Sequence, residues 1–102
     1  MKIRLATVII LFVCFQSYGQ KGKIIGKVID QNNSPVPFAT VFIKNINKVV
    51  YTNDQGFYST PKLNYGEYRI EYQSLGFNKS YDSITLNQQI FNVGEKILQE
   101  KK

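Results

Sequence analysis

Turn-forming clusters recur about every ten residues along most of this chain, and that spacing constrains its fold more than any other feature. They fall at residues 32–35, 45–48, 53–56, 64–66, 76–79 and 87–89. Gly, Pro, Asn and Asp punctuate a chain in this way because they supply backbone angles or local hydrogen bonds that regular elements lack. The segments between them are short and rich in Val, Ile, Tyr, Phe and Thr, which favours strands over helices. Period-two alternation is clear in two of them. Ala39, Val41 and Ile43 share one face of a run at 38–43, with Phe38, Thr40 and Phe42 on the other. Tyr68, Ile70 and Tyr72 share one face of a run at 68–74, with Arg69 and Glu71 opposite. Further runs at 23–30, 49–52, 57–60, 83–86 and 93–98 give about seven short strands, and no segment shows a helical period. Many short strands with regular turns predict an all-β sandwich or small barrel.

The first 19 residues belong to a different argument. Lys2 and Arg4 precede an apolar stretch at 6–15, and Ser17-Tyr18-Gly19 follows with small residues at two spaced positions. This is the pattern of a secretory signal peptide, and the apolar stretch is too short to span a bilayer. Cleavage is expected after Gly19. A lipoprotein signal is the other reading of Cys14, but Val13 before it is not the small residue such a signal needs. The domain is expected at residues 20–98, with a short polar tail at 99–102. The chain has 102 residues, which suits one domain. Without residues 1–19 it keeps 11 of 13 basic and all 7 acidic side chains, a net charge of +4, and it has no Cys and no His. That excludes a disulfide framework, a thiol nucleophile, a Ser-His-Asp triad and an ordinary zinc site.

The stretch YTNDQGFYST, residues 51–60, offers a metal loop, a catalytic acid or a plain turn. Calcium needs six to eight oxygen ligands, and one Asp beside one Asn with no closing Glu does not provide them. Gly56 instead supplies the positive φ of a tight hairpin, and Asp54 or Asn53 can accept hydrogen bonds from the turn backbone. Gly26 inside a strand predicts a bulge or the close approach of another segment. Pro35 and Pro37 suit a turn and the start of a strand, and are expected to keep an exposed edge from pairing with a neighbour.

The order of these pieces resembles the carboxypeptidase regulatory-like domain. Gly26 and Val28, a polar turn ending in Pro35 and Pro37, then Ala39, Val41 and Ile43 match its opening. Thr52, Gly56 and Tyr58 match its hairpin, Gly66 and Tyr68 the start of its next strand, and Gly76-Phe77 that strand's end. The closing NVGEKILQEKK is similar to the last strand of such domains at the front of TonB-dependent outer-membrane receptors of Bacteroidetes-type bacteria. The resemblance implies a seven-stranded, prealbumin-like Greek-key sandwich and an accessory module without a peptidase domain. With nothing after the domain, the chain reads as a free-standing copy or a truncated relative of those receptors.

No cofactor, metal or catalytic set is implied. Asp30, Asp54, Glu67, Glu71 and Asp82 are the carboxylates a glycosidase would have to pair across a cleft. Each reads as a turn former or a solvated strand face. Two function classes remain. One is an interaction or structural module, periplasmic, outer-membrane associated or secreted, acting on an envelope protein partner through sheet edges or loops. The other is a carbohydrate-binding module with rings on one flat face. Tyr65 and Phe77 are the candidate binding surface. Nucleic acid is not expected, since acids and bases are interspersed, and membrane association is expected to be peripheral only.

Overall fold

The computed structural model describes residues 20–102, so the signal-peptide reading of residues 1–19 lies outside the described residues. Eight strands form in chain order: β1 (Lys21–Asp30), β2 (Thr40–Ile43), β3 (Lys48–Tyr51), β4 (Phe57–Ser59), β5 (Leu63–Asn64), β6 (Gly66–Gln73), β7 (Ser80–Leu86) and β8 (Ile90–Leu98). A single 3-10 turn at Lys44–Ile46 joins β2 to β3, with Asn47 in the left-handed region closing it. The strands make two sheets packed as a β-sandwich. One has the order β3-β2-β6-β7, all antiparallel. In the other, β1 is central, with β8 parallel on one side. On its opposite side β4 and β5 follow one another antiparallel to β1. Thr60 bridges them, its N–H donating to the Ile24 carbonyl at 2.9 Å.

The inner faces supply the core. Ile24 and Val28 from β1, Val41 and Ile43 from β2, Tyr58 from β4, and Tyr68, Ile70 and Tyr72 from β6 are buried. So are Ile84, Leu86 and Leu98. Each such aliphatic side chain contributes about 1.5–3 kcal/mol on leaving water, which is the main force holding two thin sheets together. The alternation predicted for residues 39–43 and 68–72 is the alternation that folds.

Several boundaries differ, for physical reasons. The first strand of the second sheet begins at Thr40, and Phe38 stands outside it with φ 56°. Thr52, almost fully buried, is responsible. Its hydroxyl donates to the Val36 carbonyl at 2.7 Å and accepts from the Ala39 N–H at 2.8 Å. The Phe38 N–H meanwhile donates to the Thr52 carbonyl at 3.1 Å. Residues 36–39 are thereby held as a clamped loop. The eighth strand is β5, two residues long, in a segment read from sequence as turn. Pro35 lines up against Ile29 beside β1, extending the row begun by β4, rather than guarding a free edge. Gly66 opens β6 but is not among the glycines with positive φ, so its conformational freedom is not needed there. The tail residues are paired: Asn78 N–H donates to the Gln99 carbonyl at 2.8 Å and Lys101 N–H to the Gly76 carbonyl at 2.9 Å.

Strand β8 holds a feature that its sequence did not announce. Ile25 pairs with Asn92 but Lys27 pairs with Glu95, so β8 carries one extra residue in a bulge. Gly94 sits there with φ 84°, and Asn92 Oδ1 accepts the Gly94 N–H at 2.9 Å. The bulge resets the alternation. Lys96 and Leu98 turn inward, while Glu95 and Ile97 face out.

Candidate functional site

Tyr58 and Tyr72 share a hydrogen bond between their hydroxyls at 2.9 Å, with rings edge to face at 6.0 Å. The inward turn of Lys96 brings its Nζ to 3.1 Å from both Asp82 Oδ1 and the Tyr81 carbonyl, and 5.6 Å from the Tyr72 ring centroid. Burial pushes the Tyr58 phenol up to about 12, and it also raises that of Tyr72, with the Tyr58 phenol and the Asp82 charge adding to it. Both phenols are therefore neutral at physiological pH and unsuited to act as bases. The cluster pins β8 to β7 across the open side of the sandwich. Asp82 is thus no solvated strand face. It lies between the sheets, and its Oδ2 is buried without a hydrogen-bond partner. Among the described residues no three Asp, Glu, Cys or His side chains come together as a metal-binding group.

The surface is more informative. Leu75 is 100% exposed and Phe38 71% exposed. Both border one groove at the end of the sandwich, with Thr40, Gln73 and Phe77 along it and Lys79 and Lys101 on its rim. An exposed phenylalanine held at positive φ is costly twice, in solvation and in backbone strain of order 1–3 kcal/mol. The Thr52 clamp maintains it.

The groove opens onto the outer face of the β3-β2-β6-β7 sheet. Registry sets Val49, Phe42, Glu71 and Tyr81 side by side across the four strands, and Tyr51, Thr40 and Gln73 in the next row. Tyr51 and Tyr81 are well exposed and Phe42 half-buried. Glu71 is covered by side chains lying on this face rather than sunk in the core. Gln73 Nε2 donates to its carboxylate, and Lys79 and Lys44 add their charge, so its carboxyl is held below the usual glutamate range. Lys44 Nζ approaches Glu71 at 3.9 Å and lies 5.7 Å from the centre of the Tyr81 ring. One face of that ring is therefore occupied by an ammonium group.

The residues singled out from sequence divide into scaffold and surface. Gly26 faces inward, where an added Cβ would lie 2.6 Å from the Tyr58 hydroxyl, so both close approach and bulge occur at its level. Gly56 has φ 84° and a Cβ there would meet the Val28 carbonyl at 2.5 Å. The hairpin before it is capped by Asn53, whose Oδ1 accepts the Gln55 and Phe57 N–H groups at 3.0 Å, and not by Asp54, which is exposed. Gly76 takes φ 87° in the turn after β6. Ala39, Val41 and Tyr68 are core, and the Tyr68 hydroxyl donates to the Asn64 carbonyl at 2.6 Å. Tyr65 and Phe77 do not form an exposed pair. Both are partly buried against the core, at opposite ends of β6. Phe77 lines the groove, but the exposed apolar side chains there are Phe38 and Leu75. Sequence reasoning missed these because Phe38 was placed in a strand and Leu75, between the run at 68–74 and the turn at 76–79, was assigned to neither. The available signal was Leu75 directly before the Gly76-Phe77 turn.

A family model described as "CarboxypepD_reg-like domain" matches residues 24–101. Comparison with curated protein sequences finds no match. Among solved structures the chain is similar to the Bacillus anthracis TIE protein, with a TM-score of 0.66, 17% identity and 78% of this chain covered. It is also similar to a chain of a type II cohesin–X-dockerin complex from Acetivibrio cellulolyticus, with a TM-score of 0.66, 10% identity and 76% of this chain covered. The alignments span 16% and 56% of those two chains. At such identities the likeness is one of fold.

Proposed function

The chain belongs to the CarboxypepD_reg-like domain family, and from that premise we propose that it is a non-catalytic, exported β-sandwich accessory module. Its site of action is the periplasm or the outer membrane, where it docks on an envelope protein or supports its structure. The export step rests on the signal-peptide pattern of residues 1–19.

Phe38 and Leu75 carry the reading. Two large apolar side chains left in water at one loop end, beside a strained backbone, are what a protein partner would cover. The Tyr51, Phe42 and Tyr81 side chains extend that surface with the aromatic residues enriched at protein interfaces. A sugar-binding face is the second reading, favoured by three rings on one flat sheet surface. Lys44 over Tyr81 weighs against it, because a stacking sugar would have to displace the ammonium group.

The test is cross-linking of the tagged chain in its native envelope with mass spectrometry, for the wild type and for Phe38→Ser/Leu75→Ser. A protein partner recovered with the wild type and lost with the double variant is expected, with the thermal melt unchanged. Recovery of polysaccharide alone, sensitive to Tyr51→Ala and not to the loop variant, would replace the docking reading with the sugar reading.

A further inference from the structure

Exposed strand edges are pairing templates, and proteins guard them by shortness, Pro, bulges or charged side chains, including inward-pointing ones. Of the edge strands here, β3 has four residues, β4 three and β5 two. The β7 edge is covered at Tyr81, whose carbonyl accepts the Lys96 ammonium. The remaining edge, β8, is nine residues long, contains no Pro, and pairs only with β1 among the described residues. Ile90 and Ile97, at its two ends, are 58% and 49% exposed. Its one lysine points inward and is already paired.

The bulge is the remaining guard, because a straight strand laid along β8 stays in phase with both arms only by setting one of its residues opposite two, as β1 does between Ile25 and Lys27. A second copy of β8 running antiparallel carries the same bulge. When Ile90 of one copy faces Ile97 of the other, Val93 and Gly94 face Gly94 and Val93 at the two-fold axis, so both arms stay in phase. In this register outward residues meet outward residues, which a strand without the bulge would not allow. Asn92 then faces Glu95, and the relation is reciprocal. The Asn92 Oδ1 is used inside its own bulge, which leaves its Nδ2 to donate to the facing carboxylate. No like charges meet, and each exposed isoleucine is covered by another. Pairing stops after Ile97, where Gln99 turns to join the loop at Asn78.

We propose that β8 is an isologous dimerisation edge, a second copy of this chain adding antiparallel in the Ile90–Ile97 register to make one continuous sheet through both copies. The contact is narrow, so the dimer is reversible and concentration-dependent.

Sedimentation velocity over a wide concentration range tests it, using the wild type, Ile90→Glu, Ile97→Lys and an equimolar mixture of the two variants. Both positions are exposed, and unchanged thermal melts will confirm folding. Each single variant should raise the dimer dissociation constant at least about tenfold, since a charge then faces an isoleucine in both symmetry-related pairs. The mixture should dimerise again, because each heterodimer has one Glu–Lys pair and one intact Ile–Ile pair. In the wild type, amide exchange along β8 should slow with protein concentration. A wild type that stays monomeric throughout, a dimer indifferent to either substitution, or a mixture that fails to associate would each overturn the proposal.

Discussion

Replacing Gly26 with alanine should be among the most damaging single changes to this protein, although it adds only one methyl group. The added Cβ would lie 2.6 Å from the Tyr58 hydroxyl oxygen and 2.8 Å from two ring carbons. Such distances require something to move. Tyr58 has little room to do so: it is 4% exposed, packs edge to face on Tyr72 and shares a hydroxyl hydrogen bond with it. Overpacking in a tight core costs about 1–3 kcal/mol. Losing the buried hydrogen bond adds about 0.5–1.5 kcal/mol. Together these give about 1.5–4.5 kcal/mol. For a domain of this size that corresponds to a fall in Tm of at least about 6 °C. The assay is thermal unfolding followed by circular dichroism, with urea unfolding to obtain the free energy. Tyr58→Leu, which removes the obstructing ring edge, should be destabilising alone but should make Gly26→Ala much less costly in its presence. A Gly26→Ala variant melting within about 3 °C of wild type would refute the close-packing argument, since that change is under 1 kcal/mol on the same scale.

Thr52→Val removes the hydroxyl that serves the Val36 carbonyl and the Ala39 N–H, leaving both buried and unpaired. Urea unfolding should show a loss of about 2–6 kcal/mol, at about 1–3 per orphaned group. Gly56→Ala forces positive φ on a side chain and drives Cβ toward the Val28 carbonyl. A loss above about 2 kcal/mol in the same assay is expected, and a neutral result would contradict the observed turn. The raised Tyr58 phenol predicts alkaline behaviour with a definite sign. Its folded value, about 12, lies above the ordinary 10.0. Keeping it neutral therefore stabilises the fold fully below pH 10, and that stability is lost as pH rises toward 12. Ultraviolet titration should show Tyr58 and Tyr72 ionising only as circular dichroism reports unfolding.

Much of the scaffold was legible because strand alternation is a local property. Tyr68, Ile70 and Tyr72 face one way whatever they pack against, and turn residues mark their own positions. Gly56 could be assigned its conformation from its neighbours alone. The candidate surface was less legible. Tyr65 and Phe77 look like loop aromatics in sequence, yet both fold back onto the core, one beyond each end of β6. Phe38 looks like strand, yet it is pulled out of one by Thr52, a residue 14 positions later whose hydroxyl competes for the same backbone groups.

The sequence by itself determined an all-β chain with its inner faces and most of its turns. It also determined the absence of histidine and of cysteine after Cys14. These follow from composition and from interactions spanning few residues. Only the tertiary structure decided which side chains of β8 point inward. A single extra residue opposite Gly26 reverses the alternation, sends Lys96 to Asp82 and exposes Ile97. Whether a strand carries a bulge depends on the strand it pairs with, and β1 lies some seventy residues earlier in the chain.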